Sequence, residues 1–216
     1  MSANGQEIEA KFYVHNLDKI RAHLYELKAQ LIQSRVLETN IRFDLPDAQF
    51  SSQGRLLRLR RDTEARLTYK SASKNEEGVL SRTEIEFTVE DYDKAKQFIE
   101  ALGYQPIFHY EKYRMTYVIS QPSEGPQPSE GLTHIMLDEL PFGKFVEIEG
   151  ESIESIRAVA DTLNLKWDTA IAAGYHVLFQ RLCLSRPDLA PTQLTFTALN
   201  GLKISAEDLS VRAADG

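Results

Sequence analysis

Stretches in which charged and apolar residues take turns recur along this chain, and no other feature constrains the fold as much. In a strand, residues two apart point to the same side. Each stretch therefore predicts a strand with one charged and one apolar face. In QEIEAKFYV, residues 6 to 14, Glu7, Glu9 and Lys11 share a face opposite Ile8, Ala10 and Phe12. Arg58 and Arg60 oppose Leu57 and Leu59, and Lys70 lies with Thr68 opposite Leu67 and Tyr69. Arg82, Glu84 and Glu86 alternate with Ile85 and Phe87, Lys112 goes with Arg114, and Glu147 and Glu149 alternate with Val146 and Ile148. Asp138, opposite Leu137, stands near the end of a further strand.

Strands are expected at about 6–14, 35–45, 55–61, 65–71, 81–89, 107–119, 132–139 and 144–150, separated by Pro, Gly and Asp turn signals. Helical spacing of Leu17, Ile20, Leu24, Leu27 and Leu31 after Asn16 predicts a helix there. Others are expected at 91–102, closed by Gly103, at 152–164 and at 169–183. Between two strands, Pro-Ser-Glu-Gly occurs twice in QPSEGPQPSEG, which reads as a solvated hairpin loop. Hairpin-length connections with little βαβ alternation point to an α+β fold, an eight-stranded antiparallel β-barrel with packed helices. The reading places one domain over residues 1–183 and a tail or extension over 184–216. The LTFTAL stretch of that tail either docks on the body or pairs with another chain, as in a homodimer.

Helices with apolar stripes need apolar strand faces to cover, which turns the charged faces into the barrel. The lumen would then hold Glu7, Glu9, Glu84, Glu86, Asp138, Glu147 and Glu149 together with Lys11, Arg58, Arg60, Lys70, Arg82, Lys112 and Arg114. Burying so many charges is costly unless they serve a ligand. Guanidinium and ammonium groups bind phosphate oxygens, and carboxylate clusters hold hard cations such as Mg²⁺ or Mn²⁺. A triphosphate or short polyphosphate carried with its metal fits that inventory better than a monophosphate.

Other classes fit less well. A net charge of −7 argues against a protein that coats nucleic acid. The single cysteine, Cys183, excludes an intramolecular disulfide, and no Cys/His spacing suggests zinc. With neither a signal-like N-terminus nor a long apolar run, a cytoplasmic chain without membrane contact is expected. His109, His134 and His176 lie among apolar or aromatic neighbours and read as structural, and no Walker-type glycine loop is present.

The ordered series EIEAK, IRFD, LLRLR, LTYK, RTEIE, EKYR, LDE and FVEIE, across roughly residues 5 to 182, resembles the CYTH superfamily, or triphosphate tunnel metalloenzymes. That group includes class IV adenylyl cyclases, thiamine triphosphatases and inorganic triphosphatases. The resemblance implies an eight-stranded tunnel that grips a triphosphate and one or two divalent metals. By position, Lys11, Arg58, Arg60, Lys70 and Arg114, with Arg82 and Lys112, match phosphate-binding residues. Glu7, Glu9, Asp138, Glu147 and Glu149, with Glu84 and Glu86, match the metal-binding ones. Glu7, Glu9, Lys11 and Arg60 are the expected catalytic set. Three activities stay open: hydrolysis of inorganic or nucleoside triphosphates, class IV cyclisation of ATP to cyclic AMP and pyrophosphate, and non-catalytic binding of polyphosphate or nucleotide. Two departures stand out. Arg42 precedes Phe-Asp where the family commonly has an aromatic; it either reaches a nucleoside part of the ligand or, the favoured expectation, lies at the surface. Ala-Gly-Tyr-His around Gly174 stands where thiamine triphosphatases carry a functional Lys on the last helix, which puts that activity in doubt.

Overall fold

The structure, a computed structural model, describes residues 5–121 and 131–216. The N-terminal four residues and most of the repeated Pro-Ser-Glu-Gly segment lie outside them. In chain order the strands are β1 (Gln6–Val14), β2 (Gln30–Asp44), β3 (Leu56–Arg61), β4 (Ala65–Lys70), β5 (Lys74–Glu76), β6 (Val79–Val89), β7 (Gln105–Gln121), β8 (Gly131–Leu140), β9 (Gly143–Glu149) and β10 (Gln193–Leu194). The helices are α1 (Leu17–Glu26), α2 (Gln49–Ser52), α3 (Tyr92–Ala101), α4 (Ile153–Thr162) and α5 (Tyr175–Ser185).

Neighbouring strands follow the order β1-β9-β8-β7-β2-β3-β4-β6, and β6 pairs back onto β1. Eight antiparallel strands thus close into a barrel and leave no free edge among themselves. β5 folds against β6 as a short hairpin arm, and β10 adds in parallel to β7. Because the pleat alternates, the register puts charged residues side by side inside: Glu9 faces Glu149, Lys11 faces Glu147, Glu38 faces Lys112, Lys70 faces Glu84 and Arg114 faces Asp138.

The opposite faces build the core. Ala10, Phe12 and Val14 of β1 join Ile135, Leu137, Val146 and Ile148 beneath Ile20 and Leu24 of α1 and Ile156 and Val159 of α4. Ile41, Phe43 and Leu59 pack under Ile99 of α3. A third cluster sets Phe108, Phe142 and Phe145 against Leu178, Phe179 and Leu182 of α5. Each fully buried side chain of this size contributes about 1.5–3 kcal/mol of transfer free energy. The helix covering is incomplete, since Ile85 and Phe87 on the outside of β6 stay more than half exposed.

Several elements differ from expectation. α1 ends at Glu26, where Lys28 takes a left-handed φ of 56° and the Ala29 amide donates to the Leu24 carbonyl. Leu27 and Leu31 therefore leave the helical stripe and are exposed, and the chain after the turn joins β2. α5 begins at Tyr175, not 169, because residues 167–169 form a 3-10 turn and Ala170 is extended before Gly174 caps the helix. The short α2 and the β5 arm form in the connections between expected strands, where the sequence shows turn signals only. The LTFTAL stretch docks on the body: Leu194 and Leu199 are buried, and Gln193 pairs with His109. Further on, the Ala214 amide donates to the Tyr13 carbonyl, and the Asp215 carboxylate accepts from the His15 and Asn16 amides. Among the described residues no helix is long and apolar enough to cross a membrane.

Candidate functional site

The charged strand faces enclose a cavity of about 770 Å³. Thirteen of the fourteen side chains expected in a lumen line it: Glu7, Glu9, Lys11, Arg58, Arg60, Lys70, Arg82, Glu84, Glu86, Lys112, Arg114, Glu147 and Glu149. The fourteenth, Asp138, lies just behind the wall and is fully buried.

Cations and carboxylates alternate around this wall. Lys11 pairs with Glu147 at 3.0 Å, and Arg60 reaches Glu86 at 3.0 Å and Glu38 at 3.5 Å. Arg58 donates to Glu86 at 3.3 Å and to the Tyr110 hydroxyl at 3.3 Å, while Thr68 also donates to Glu86. Glu7 takes Lys70 and, at 2.8 Å, Arg82. Burial opposes its charged form, yet the two cations outweigh that and hold the Glu7 pKa down at about 2.

Asp138 accepts from Lys112 at 3.0 Å, from the Arg114 Nε at 2.6 Å and from the Tyr175 hydroxyl at 2.7 Å. Arg114 also bridges to Glu147. Burial is the largest influence on the Tyr175 hydroxyl, and with Asp138 beside it the pKa is raised well above the usual phenol value. The hydroxyl therefore stays a donor. Its ring carries Lys11 at 4.5 Å and Lys112 at 5.4 Å, so the start of α5 helps to seat two lumen ammonium groups. With its oxygens committed to three donors, Asp138 orients cations in this structure.

Glu149 is in the opposite condition. It faces Glu9 across the β1–β9 ladder and makes no salt bridge among the described residues. Burial, and then the charges of Glu7, Glu9 and Glu84, push its pKa up to about 7. Glu84 is raised too, by burial first, although Lys70 partly offsets it. Among the described residues no three acidic, His or Cys side chains are drawn together as a ready-made metal cage. The donor chemistry nevertheless fits a hard divalent cation: Glu149, crowded by Glu7, Glu9 and Glu84, has no cationic partner among the described residues to relieve it.

Some site residues were missed in the sequence. Glu38 is 1% exposed and joins Lys112 at 3.4 Å with Arg60 and Arg114; burial works against its charge, but these cations hold its pKa at about 2. Its signal was available, since Glu38, Asn40, Arg42 and Asp44 alternate with Leu37, Thr39, Ile41 and Phe43. Tyr175 gave no such signal, because only the tertiary placement of α5 brings it to Asp138. Arg42, expected at the surface, lines the cavity instead. The closed barrel continues the inward face of β2 past Asn40, and Arg42 follows it. His134 and His176 also line the cavity, and His176 rests edge-on against Phe108 with ring centroids 4.6 Å apart.

Known proteins share this architecture. The CYTH domain family profile matches residues 5–172. A protein of Methanocaldococcus jannaschii, provisionally named an adenylate cyclase, is 26% identical over 179 residues, which cover 78% of this chain and 95% of that protein. A solved structure from Vibrio parahaemolyticus, also provisionally called an adenylate cyclase, superposes with a TM-score of 0.64 at 22% identity, covering 79% of this chain and 96% of the other. A Hippeastrum protein, provisionally an adenylyl cyclase and described as having a dominant triphosphatase activity, gives a TM-score of 0.55 at 16% identity and covers 87% and 99%. At these identities the two structures share the fold.

Proposed function

The chain belongs to the CYTH domain family, whose members act as triphosphatases or adenylyl cyclases and use divalent metals; from that premise we propose that it is a divalent-metal-dependent phosphohydrolase of inorganic or nucleoside triphosphates. The observation that carries this reading is the juxtaposition in one cavity of cations already oriented by carboxylates and of a carboxylate, Glu149, crowded by other carboxylates without a cation of its own.

Arg58, Arg60, Arg114, Lys11 and Lys70, with Arg82 and Lys112, would take the phosphate oxygens. Arg supplies paired N–H donors and Lys a point charge. Ion pairs such as Arg60–Glu86 hold these groups in place beforehand, so little ordering remains when the triphosphate arrives. Glu7, Glu9, Glu147 and Glu149, with Glu84 and Glu86, would hold the metal, and Asp138 would act mainly by orienting Lys112 and Arg114. A bound Mg²⁺ or Mn²⁺ supplies Lewis-acid polarisation of phosphoryl oxygens and of water. In this reading Lys11 and Arg60 stabilise charge that builds on the transferred phosphoryl group, and Glu7 and Glu9 keep the acidic edge of the site in register.

Hydrolysis asks of the lumen only this grip and a water. The second reading, cyclisation of ATP by its ribose 3′-hydroxyl, draws support from the name of the Methanocaldococcus jannaschii relative. It needs in addition a site that presents the ribose in line. Incubation with Mg²⁺ or Mn²⁺ and, separately, inorganic triphosphate, ATP and thiamine triphosphate separates them once phosphate, pyrophosphate and cyclic AMP are resolved. Phosphate release without cyclic AMP is the expected result. Cyclic AMP with pyrophosphate replaces the first reading by the second, and tight binding without turnover makes the chain a binder.

A further inference from the structure

Eight of the eleven Lys and Arg residues that line the cavity are held by carboxylates, and Arg42, Arg55 and Arg181 are not. Among the described residues none of these three makes a side-chain hydrogen bond or ion pair. Arg42 neighbours Arg58 across the β2–β3 ladder and Phe108 across the β2–β7 ladder. Burial is the main force against its charged form, and the nearby Arg82 and Arg58 add to it. Asp44, two residues on, cannot serve it: that carboxylate is occupied by the Leu45, Phe50 and Ser51 amides and the Ser51 hydroxyl. Arg55 lies over the Phe50 ring at 4.2 Å, and its Nε is buried without a partner. Arg181 stands on α5 one turn beyond Val177 and lines the cavity with it, while the neighbouring His176 packs on the same Phe108 and feels the charge of Arg42.

Three partly buried guanidinium groups without an ion-pair partner among the described residues line one cavity, two of them at its β2–β3 end, and are suited to take an anion. We infer that Arg42, Arg55 and Arg181 form a second anion subsite, which receives the phosphates of a linear inorganic polyphosphate that extend beyond the three held deeper in the lumen. This rests on the triphosphate reading above and adds the chain length of the substrate to it. A nucleoside at this end would leave the guanidinium charges unpaired, and a site built for a charged partner discriminates against an analogue that lacks it. Phosphate, by contrast, matches the guanidinium fork and carries charge on every unit.

The test is calorimetric titration of the full chain with inorganic triphosphate, inorganic tetraphosphate and ATP, for wild type, Arg42→Tyr, Arg42→Lys and Arg181→Gln. Wild type is expected to bind tetraphosphate about tenfold more tightly than triphosphate, the size of one charge-assisted contact. Arg42→Tyr and Arg181→Gln should narrow that gap while triphosphate still binds, which also certifies the fold, and Arg42→Lys should keep part of it. If Arg42→Tyr fails to fold, Arg181→Gln on the helix carries the same comparison. Equal affinities for the two polyphosphates, or an unchanged gap in the variants, overturn the subsite while leaving the triphosphate reading intact. Selective loss of ATP binding in Arg42→Tyr also overturns it, since the arginine would then be reading a base. If wild type binds no triphosphate, the functional proposal falls and the subsite falls with it.

Discussion

Glu38 and Glu149 face the same lumen in opposite electrical states. Glu38 stands where β2 meets β7, held by Lys112, Arg60 and Arg114, and burial cannot keep its pKa from falling to about 2. Glu149 stands where β1 meets β9, facing another carboxylate, and burial together with Glu7, Glu9 and Glu84 lifts it to about 7. Composition does not distinguish the two; register does. One wall is a finished electrostatic structure of paired cations and carboxylates, and the other is a seam where carboxylates face each other; in the proposed function the first takes phosphate and the second the metal ion.

The pH dependence differs accordingly. The folded-state pKa of Glu38 lies below the ordinary 4.5, so the stability it contributes is present above 4.5 and is lost as pH falls towards 2. Glu149 lies above 4.5, so its folded form keeps a proton that the unfolded chain has released. Its contribution therefore becomes unfavourable as pH rises from 4.5 through 7.

The largest effect should come from the finished wall. Asp138→Ala strands Lys112, Arg114 and Tyr175 without their acceptor, and is expected to cost about 3–5 kcal/mol in denaturant unfolding. A cost no greater than that of Glu149→Gln would erase the contrast. On the seam, Glu9→Gln should lower metal-dependent turnover about a hundredfold while the melting temperature holds, as expected of a metal-site carboxylate. If the variant keeps full activity, the seam is not the metal site. Arg60→Ala should weaken triphosphate binding about tenfold by calorimetry. The smallest effect is Glu149→Gln, which should stabilise the metal-free chain by about 1 kcal/mol above pH 7 and leave it unchanged near pH 4, after allowance for solvent screening. A uniform shift across pH would mean that packing, not crowding of charge, governs this residue.

Much of this was legible in the sequence because period-two alternation carries straight into the barrel wall along β1, β3, β4, β6 and β9, where the ladders run without a register shift. Spacing alone puts Glu7, Glu9 and Lys11 on one face of β1 and Arg58 and Arg60 on one face of β3, and closure of the sheet turns those faces inward. Glu38 and Arg42 carried the same signal on β2, but Arg42 departs from the residue type usual in the family and Glu38 belonged to none of the conspicuous triplets. Tyr175 was beyond reach, since its role depends on how α5 crosses the barrel. The end of α1 misled for a different reason: Leu27 and Leu31 continue a helical spacing by coincidence, and the left-handed turn at Lys28 is a local conformation that an apolar period cannot reveal. Which charges end up paired is also not a property of any one strand. It comes from the register between strands, as Glu9 opposite Glu149 and Arg114 opposite Asp138 illustrate.

Proton release on Mn²⁺ binding tests the contrast most directly, read by calorimetry at about pH 6 in two buffers of different ionisation enthalpy. With Glu149 titrating at about 7, wild type should expel most of a proton as the metal binds, and Glu149→Gln should expel little. Binding of Mn²⁺ with no proton released, and undiminished in Glu9→Gln and Glu149→Gln, would contradict the account.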